Sequence, residues 1–136
     1  MEMPPISQLP WAIGHDRFVA AAGAVTGEGA CCLFVIDEAI PASARSGYAA
    51  LVIAYARANE PVTILDGGAA ALLIRDGGVA SGVVAAKRLL KQMSKLGLQQ
   101  TLRAGVWSLS GGIEEAIAGA RDLAVRAAAG DVAVAV

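Results

Sequence analysis

Residues Ala30-Cys-Cys-Leu-Phe-Val-Ile36 form an apolar run that no polar side chain interrupts before Asp37. A strand with one wet face alternates polar and apolar residues, whereas a strand covered on both faces has no such need. The run is far too short to span a membrane, so it predicts a strand in the middle of a sheet with helices above and below. That requirement places the chain in the α/β class. Downstream, residues 42–58 read as a helix stopped by Asn59-Glu60-Pro61, and 62–65 as a second short apolar strand. Strand, helix and strand at these lengths predict a right-handed βαβ unit in a mostly parallel sheet.

The alternation continues to the end of the chain. Asp66-Gly67-Gly68 is a turn, the residues up to Arg75 read as a second short apolar helix, and Asp76-Gly-Gly78 is another turn. A longer amphipathic helix is expected over 81–96, stopped by Gly97. A strand over 103–109, a Gly111-Gly112 turn, one or two helices over 113–129 around Gly119, and a last strand over 132–136 complete the order. Residues 1–29 read as an N-terminal arm and a short helix over 17–25, capped by Asp16. No linker divides the chain and no tandem repeat suggests a solenoid, so residues 1–136 are expected to form a single domain.

Net charge is −1 in 136 residues, which gives no field for nucleic acid or an anionic membrane surface. The hydrophobic fraction is 56%, much of it alanine and valine, which suits close helix–sheet packing. It also suits a face covered by another subunit. Residues 1–10 carry Glu2 and three prolines with no basic or apolar leader segment. With no membrane span and no disulfide framework, the cytoplasm is the expected compartment.

Several residues invite a chemical reading. Asp37 and Glu38 follow the first strand, and Asp66, Gly67 and Gly68 follow the second, which puts all five on the strand-end rim where open α/β sheets bind ligands. Backbone amides at the glycines could hold an anion, and three acids could hold a divalent cation. Helix capping and solvated loop charge account for the same residues. The turn matches neither a dinucleotide fingerprint nor a P-loop, and no metal-ligand spacing appears. His15 is the lone histidine, and without a nucleophile in a strained turn it builds no triad. Cys31 and Cys32 sit in the most apolar strand, where a cysteine acts as a small inert hydrophobe. No catalytic residue or cofactor is assigned.

In the helix over 81–96, Val83, Ala86, Leu89, Leu90, Met93 and Leu96 share one arc, while Lys87, Arg88, Lys91 and Lys95 share another. The basic arc is either a solvated face or a docking surface for an acidic protein partner or an RNA backbone.

The order of features from Leu33 onward resembles the DsrE/DsrF-like family of small sulfur-relay proteins. The resemblance rests on Leu33-Phe-Val-Ile36, Tyr48-Ala-Ala-Leu51, Val62-Thr-Ile-Leu-Asp-Gly-Gly-Ala-Ala-Ala71 and Leu89-Leu-Lys-Gln-Met-Ser-Lys-Leu-Gly97. It extends through Arg103-Ala-Gly-Val-Trp-Ser-Leu109, Gly112-Ile113, Gly119-Ala-Arg-Asp-Leu-Ala124 and Asp131-Val-Ala-Val-Ala-Val136, so it covers about three-quarters of the chain. It implies a Rossmann-like three-layer domain of about five strands, assembly with itself or sister subunits as trimers or hexamers, and a persulfide cysteine near the end of the third strand. Residues 103–110 contain no cysteine, and Gly105 or a neighbour stands where it is expected. The resemblance therefore implies a non-catalytic structural or regulatory subunit. A persulfide carrier using Cys31 or Cys32 and a small-ligand binder at the rim are the alternatives.

Overall fold

The structure, a computed structural model, describes residues 13–57, 59–98 and 100–134. The expected arm over 1–12 and the last two residues of the expected final strand lie outside them. Helix α1 (His15–Gly23) precedes β1 (Ala30–Ile36), followed by α2 (Ala42–Tyr55) and β2 (Val62–Ile64). A single 3-10 turn (Asp66–Gly68) leads into β3 (Ala70–Ile74), α3 (Gly78–Lys95) and β4 (Leu102–Ser108). A second 3-10 turn (Leu109–Gly111), α4 (Ile113–Arg126) and β5 (Val132–Val134) close the order. The short helix before β1 starts one turn's fraction earlier than expected: Gly14 is its N-cap and Asp16 lies inside the first turn, where a negative charge suits the helix dipole.

The five strands lie in the order β2-β3-β1-β4-β5. Strand β1 is central, and the period of two along it divides the core. Ala30, Cys32, Phe34 and Ile36 face Val52 and Ile53 of α2 and Ala86, Leu89 and Met93 of α3. Cys31 and Leu33 face the other way, toward Phe18 of α1 and Ala116, Ala120 and Ala124 of α4. The α/β class and the five strands with helices on both faces agree with the sequence reading.

The mostly parallel, Rossmann-like arrangement does not. Strand β1 runs antiparallel to both β3 and β4, and β2 runs antiparallel to β3, leaving β4–β5 as the parallel pair. The cause is the segment expected to be a second short helix. Residues Ala70–Ile74 are a strand buried along its whole length, joined to β2 by a tight reversal in which Gly67 and Gly68 take φ values of 75° and 82°. Strands β1 and β2 are parallel to each other, since each is antiparallel to β3. The βα crossover thus survives, but the hairpin inserts β3 between its two strands.

Candidate functional site

Among the described residues, Glu60 is the one charged side chain that is buried, at 8% exposure. A buried carboxylate costs several kcal/mol unless it is paired and hydrogen-bonded, so its partners matter. The loop between α2 and β2 folds so that Glu60 N–H donates to the Arg57 carbonyl at 2.9 Å. In return, Glu60 Oε1 accepts from the Arg57 N–H at 2.7 Å. From α3, Arg88 completes the cage as a two-pronged pair, with Nη1 donating to Oε2 at 3.2 Å and Nη2 to Oε1. This fork-to-carboxylate geometry is the strong form of an ion pair.

A cleft of about 270 Å³ opens beside the pair. Arg57, Asn59 and Glu60 come to it from the α2–β2 loop, Arg75 and Asp76 from the end of β3, and Ser81, Val84 and Arg88 from α3. Three guanidinium groups thus face two carboxylates, one of them already held by Arg88. Arg57 and Arg75 are exposed, and among the described residues neither reaches a carboxylate. Such a site can bind an anion with planar hydrogen-bonding edges, because guanidinium forks match both phosphate oxygens and the O6/N7 edge of guanine.

A larger cleft of about 570 Å³ lies at the same end of the sheet, beside the start of β1, lined by Gly29, Gly77, Gly78, Leu109 and Ser110 among others. It opens on the N-terminus of α3, but the Glu28 side chain already lies against Gly78 there. An acid at the helix N-terminus takes the position an anion would use.

The expected rim is assembled in part. Phe34 pairs with Ala70, so Asp37 and Glu38 share one end of the sheet with the Asp66, Gly67 and Gly68 turn. Asp37 is engaged within the chain: Oδ2 accepts from Arg103 Nη2 at 3.0 Å, and Oδ1 accepts from the Ala39 N–H at 2.9 Å. No group of three or more His, Cys, Asp or Glu among the described residues could hold a metal ion. The four basic residues of α3 divide. Arg88 turns to Glu60, Lys87 and Lys91 line a groove against β5, and Lys95 is exposed in the last turn.

Arg57, Asn59, Glu60, Arg75, Asp76 and Ser81 were not singled out in the sequence. An Arg-x-x-Glu just before a strand was the available signal, and it read only as a helix stop. His15 stands exposed at the start of α1.

Cys31 and Cys32 are free and fully buried. Burial pushes the Cys31 thiol up to about 12. Cys32 is raised well above its ordinary range, first by burial and then by the charges of Cys31 and Glu60, and its Sγ donates to the Gly82 carbonyl at 3.1 Å. Neither can present the exposed thiolate that sulfur transfer requires.

No protein-family model matches the chain, and no curated protein sequence matches it. Solved structures do. The GGDEF domain of the Pseudomonas aeruginosa protein YfiN (TpbB) superposes with a TM-score of 0.68 at 14% identity, covering 94% of this chain and 99% of that one. An N-terminally shortened form of the same protein, comprising only its GGDEF domain, gives 0.66 at 17%, with 99% and 95% covered. A microbial GGDEF domain whose structure describes a novel interaction mode with cyclic di-GMP gives 0.65 at 13%, with 93% and 96% covered. These likenesses overturn the DsrE/DsrF-like resemblance and the sulfur-relay roles that came with it, both the non-catalytic relay subunit and the persulfide carrier. The short apolar segments that carried the resemblance specify strands and helices of an α/β layer without specifying their order in the sheet, and over almost its whole described length this chain has the fold of the GGDEF domains.

Proposed function

We propose that this domain binds a guanine-containing cyclic dinucleotide in the arginine cleft and does not synthesise one. The observation that carries the reading is the buried Glu60–Arg88 pair with Arg57 and Arg75 open beside it. Guanidinium groups supply phosphodiester contacts and bidentate contacts to the O6/N7 edge of guanine. The Glu60 carboxylate supplies acceptors for N–H donors on the guanine's other edge, once Arg88 shifts toward the ligand. A volume of about 270 Å³ is near the lower end for small-molecule sites, so it accommodates one nucleotide half while the other lies across the exposed lip at Val84. The cyclic di-GMP interaction of a domain with the same fold supports the choice of ligand.

Two features favour binding over synthesis. The letters of the neighbours' name, read as residues, are Gly-Gly-Asp-Glu-Phe. The Gly-Gly pairs of this chain, at 67–68, 77–78 and 111–112, are followed by Ala-Ala-Ala, Val-Ala-Ser and Ile-Glu-Glu. Asp37 is also already neutralised by Arg103. Phosphoryl transfer depends on positioning and on cations that stabilise charge developing on the transferred group, and among the described residues Asp37, Glu38 and Asp66 do not come together as a metal-holding group. The cytoplasm is the setting we infer, because a nucleotide second messenger would meet the domain there.

Calorimetric titration with cyclic di-GMP tests the reading. Micromolar binding is expected, weakened about tenfold or more in Arg57→Ala, since a hydrogen bond to a charged group contributes about 1.5–3 kcal/mol. Arg57 is exposed, so its loss leaves the fold intact. Absence of heat from the unsubstituted protein, or equal affinity in the variant, would overturn the assignment. GTP with magnesium should yield no cyclic product.

A further inference from the structure

The two edges of the sheet are finished differently. Along β2, the Ile13 N–H donates to the Val62 carbonyl at 2.9 Å, so the chain itself lies against that edge. Among the described residues, strand β5 ends the sheet on the other side, pairs with β4 alone, and leaves all three of its residues half-exposed. An open edge of this kind is a template for another strand.

Beside it, between β5 and α3, runs a groove of about 280 Å³ with Leu90 and Val132 in its lining and Lys87 and Lys91 on its helical wall. Helix α3 contains no acidic residue, both lysines are exposed, and no carboxylate among the described residues pairs with either. The acid at the groove, Asp131, accepts from the Val132 N–H through Oδ1 at 2.8 Å. Lys87 and Lys91 are one turn apart, and four helical residues rise about 6 Å. Two residues of an extended strand advance about 6.7 Å, so acids on alternate positions of a strand keep step with the two ammonium groups.

We infer that the β5 edge takes an extended acidic segment of a partner protein, added as a further strand with its alternate carboxylates on Lys87 and Lys91. Main-chain hydrogen bonds would give the affinity and the lysines the choice of sequence, the usual division in strand addition. This surface is separate from the arginine cleft, which α3 presents on another face through Ser81, Val84 and Arg88.

Fluorescence anisotropy with a short labelled peptide of alternating glutamate and valine tests it. Binding should fall steeply with added salt, and about tenfold or more in the double charge reversal Lys87→Glu/Lys91→Glu, whose unfolding midpoint should stay close to the parent's. The same peptide with alternate backbone nitrogens methylated keeps its charge but cannot pair as a strand, and should bind weakly. Equal binding of the methylated peptide, no effect of the charge reversal, or preference for an oligouridylate over the peptide would each overturn the inference.

Discussion

A β-carbon placed on Gly105 would overlap the carbonyl oxygen of Ala120 and come within 2.7 Å of the Ala124 nitrogen. Strand β4 and helix α4 therefore meet backbone to backbone, and the buried alanines Ala116, Ala120 and Ala124 on α4 are what let them. The family resemblance expected a cysteine where Gly105 or a neighbour stands. The packing explains the glycine without any chemistry. Gly105→Ala is expected to destabilise by about 1–3 kcal/mol, the usual cost of overpacking a core, measured by urea unfolding. Gly119→Ala should cost less, because the β-carbon there meets the ring of Trp107, and a side chain can turn aside where a helix backbone cannot. The thiols carry a pH dependence of definite sign. Cys31 ionises at about 12 in the folded protein against 9.0 for an unburied thiol. Stability from this group is therefore fully present below pH 9.0 and is lost as pH rises from there toward about 12, by about 1.4 kcal/mol per pH unit. Cys32 shifts in the same direction. Unfolding midpoints recorded across that window should fall, and fall less in Cys31→Ala.

Strand β1 was legible because its composition alone demanded two covered faces. Strand β3 was not, because Ala69-Ala-Ala-Leu-Leu-Ile74 is made of strong helix formers. Two considerations could have decided otherwise. A helix of so few residues is marginal by itself, and Gly-Gly after a strand is a reversal signal as readily as a helix lead-in. Burial settled the matter, since the segment lies between β2 and β1 with both faces covered. Taken as a helix, this segment removes the central antiparallel partner from the sheet, and the β2–β3 hairpin then looks like part of a parallel repeat. The turn itself should report on the hairpin. No atom outside its neighbours lies within 4 Å of a β-carbon at Gly67, so its φ of 75° is the constraint there. Gly67→Val should destabilise by about 1–2 kcal/mol, the penalty for a β-carbon in the left-handed region. Gly67→Asn should cost clearly less, because asparagine tolerates that region. Equal losses for the two would show that space, not conformation, governs the turn.

At the scale of the molecule, the arginine cleft could not be read from the chain because its parts come from three places. Arg57 and Glu60 close one helix, Arg75 ends a strand taken for a helix, and Arg88 was grouped with the lysines of its own arc. Only the insertion of β3 brings the first two segments beside α3. The rim fared differently: Asp37, Glu38 and the turn at 66–68 do share one end of the sheet, but Arg103, from β4, already occupies Asp37. The same topology sets how the protein opens. Strand β1 is walled by β3 and β4 and covered on both faces, while β5 and β2 sit at the margins with three residues each. Amide protons of β1 should then exchange with deuterium only when the whole domain unfolds, and those of β5 through local fraying. Because the cleft draws Glu60 from beside marginal β2 and Arg88 from a helix packed on β1, occupying it would tie the loosest part of the fold to the tightest. Slowed exchange around residues 59–64 on ligand addition, with β1 rates following only the gain in global stability, would be the isotope record of that tie.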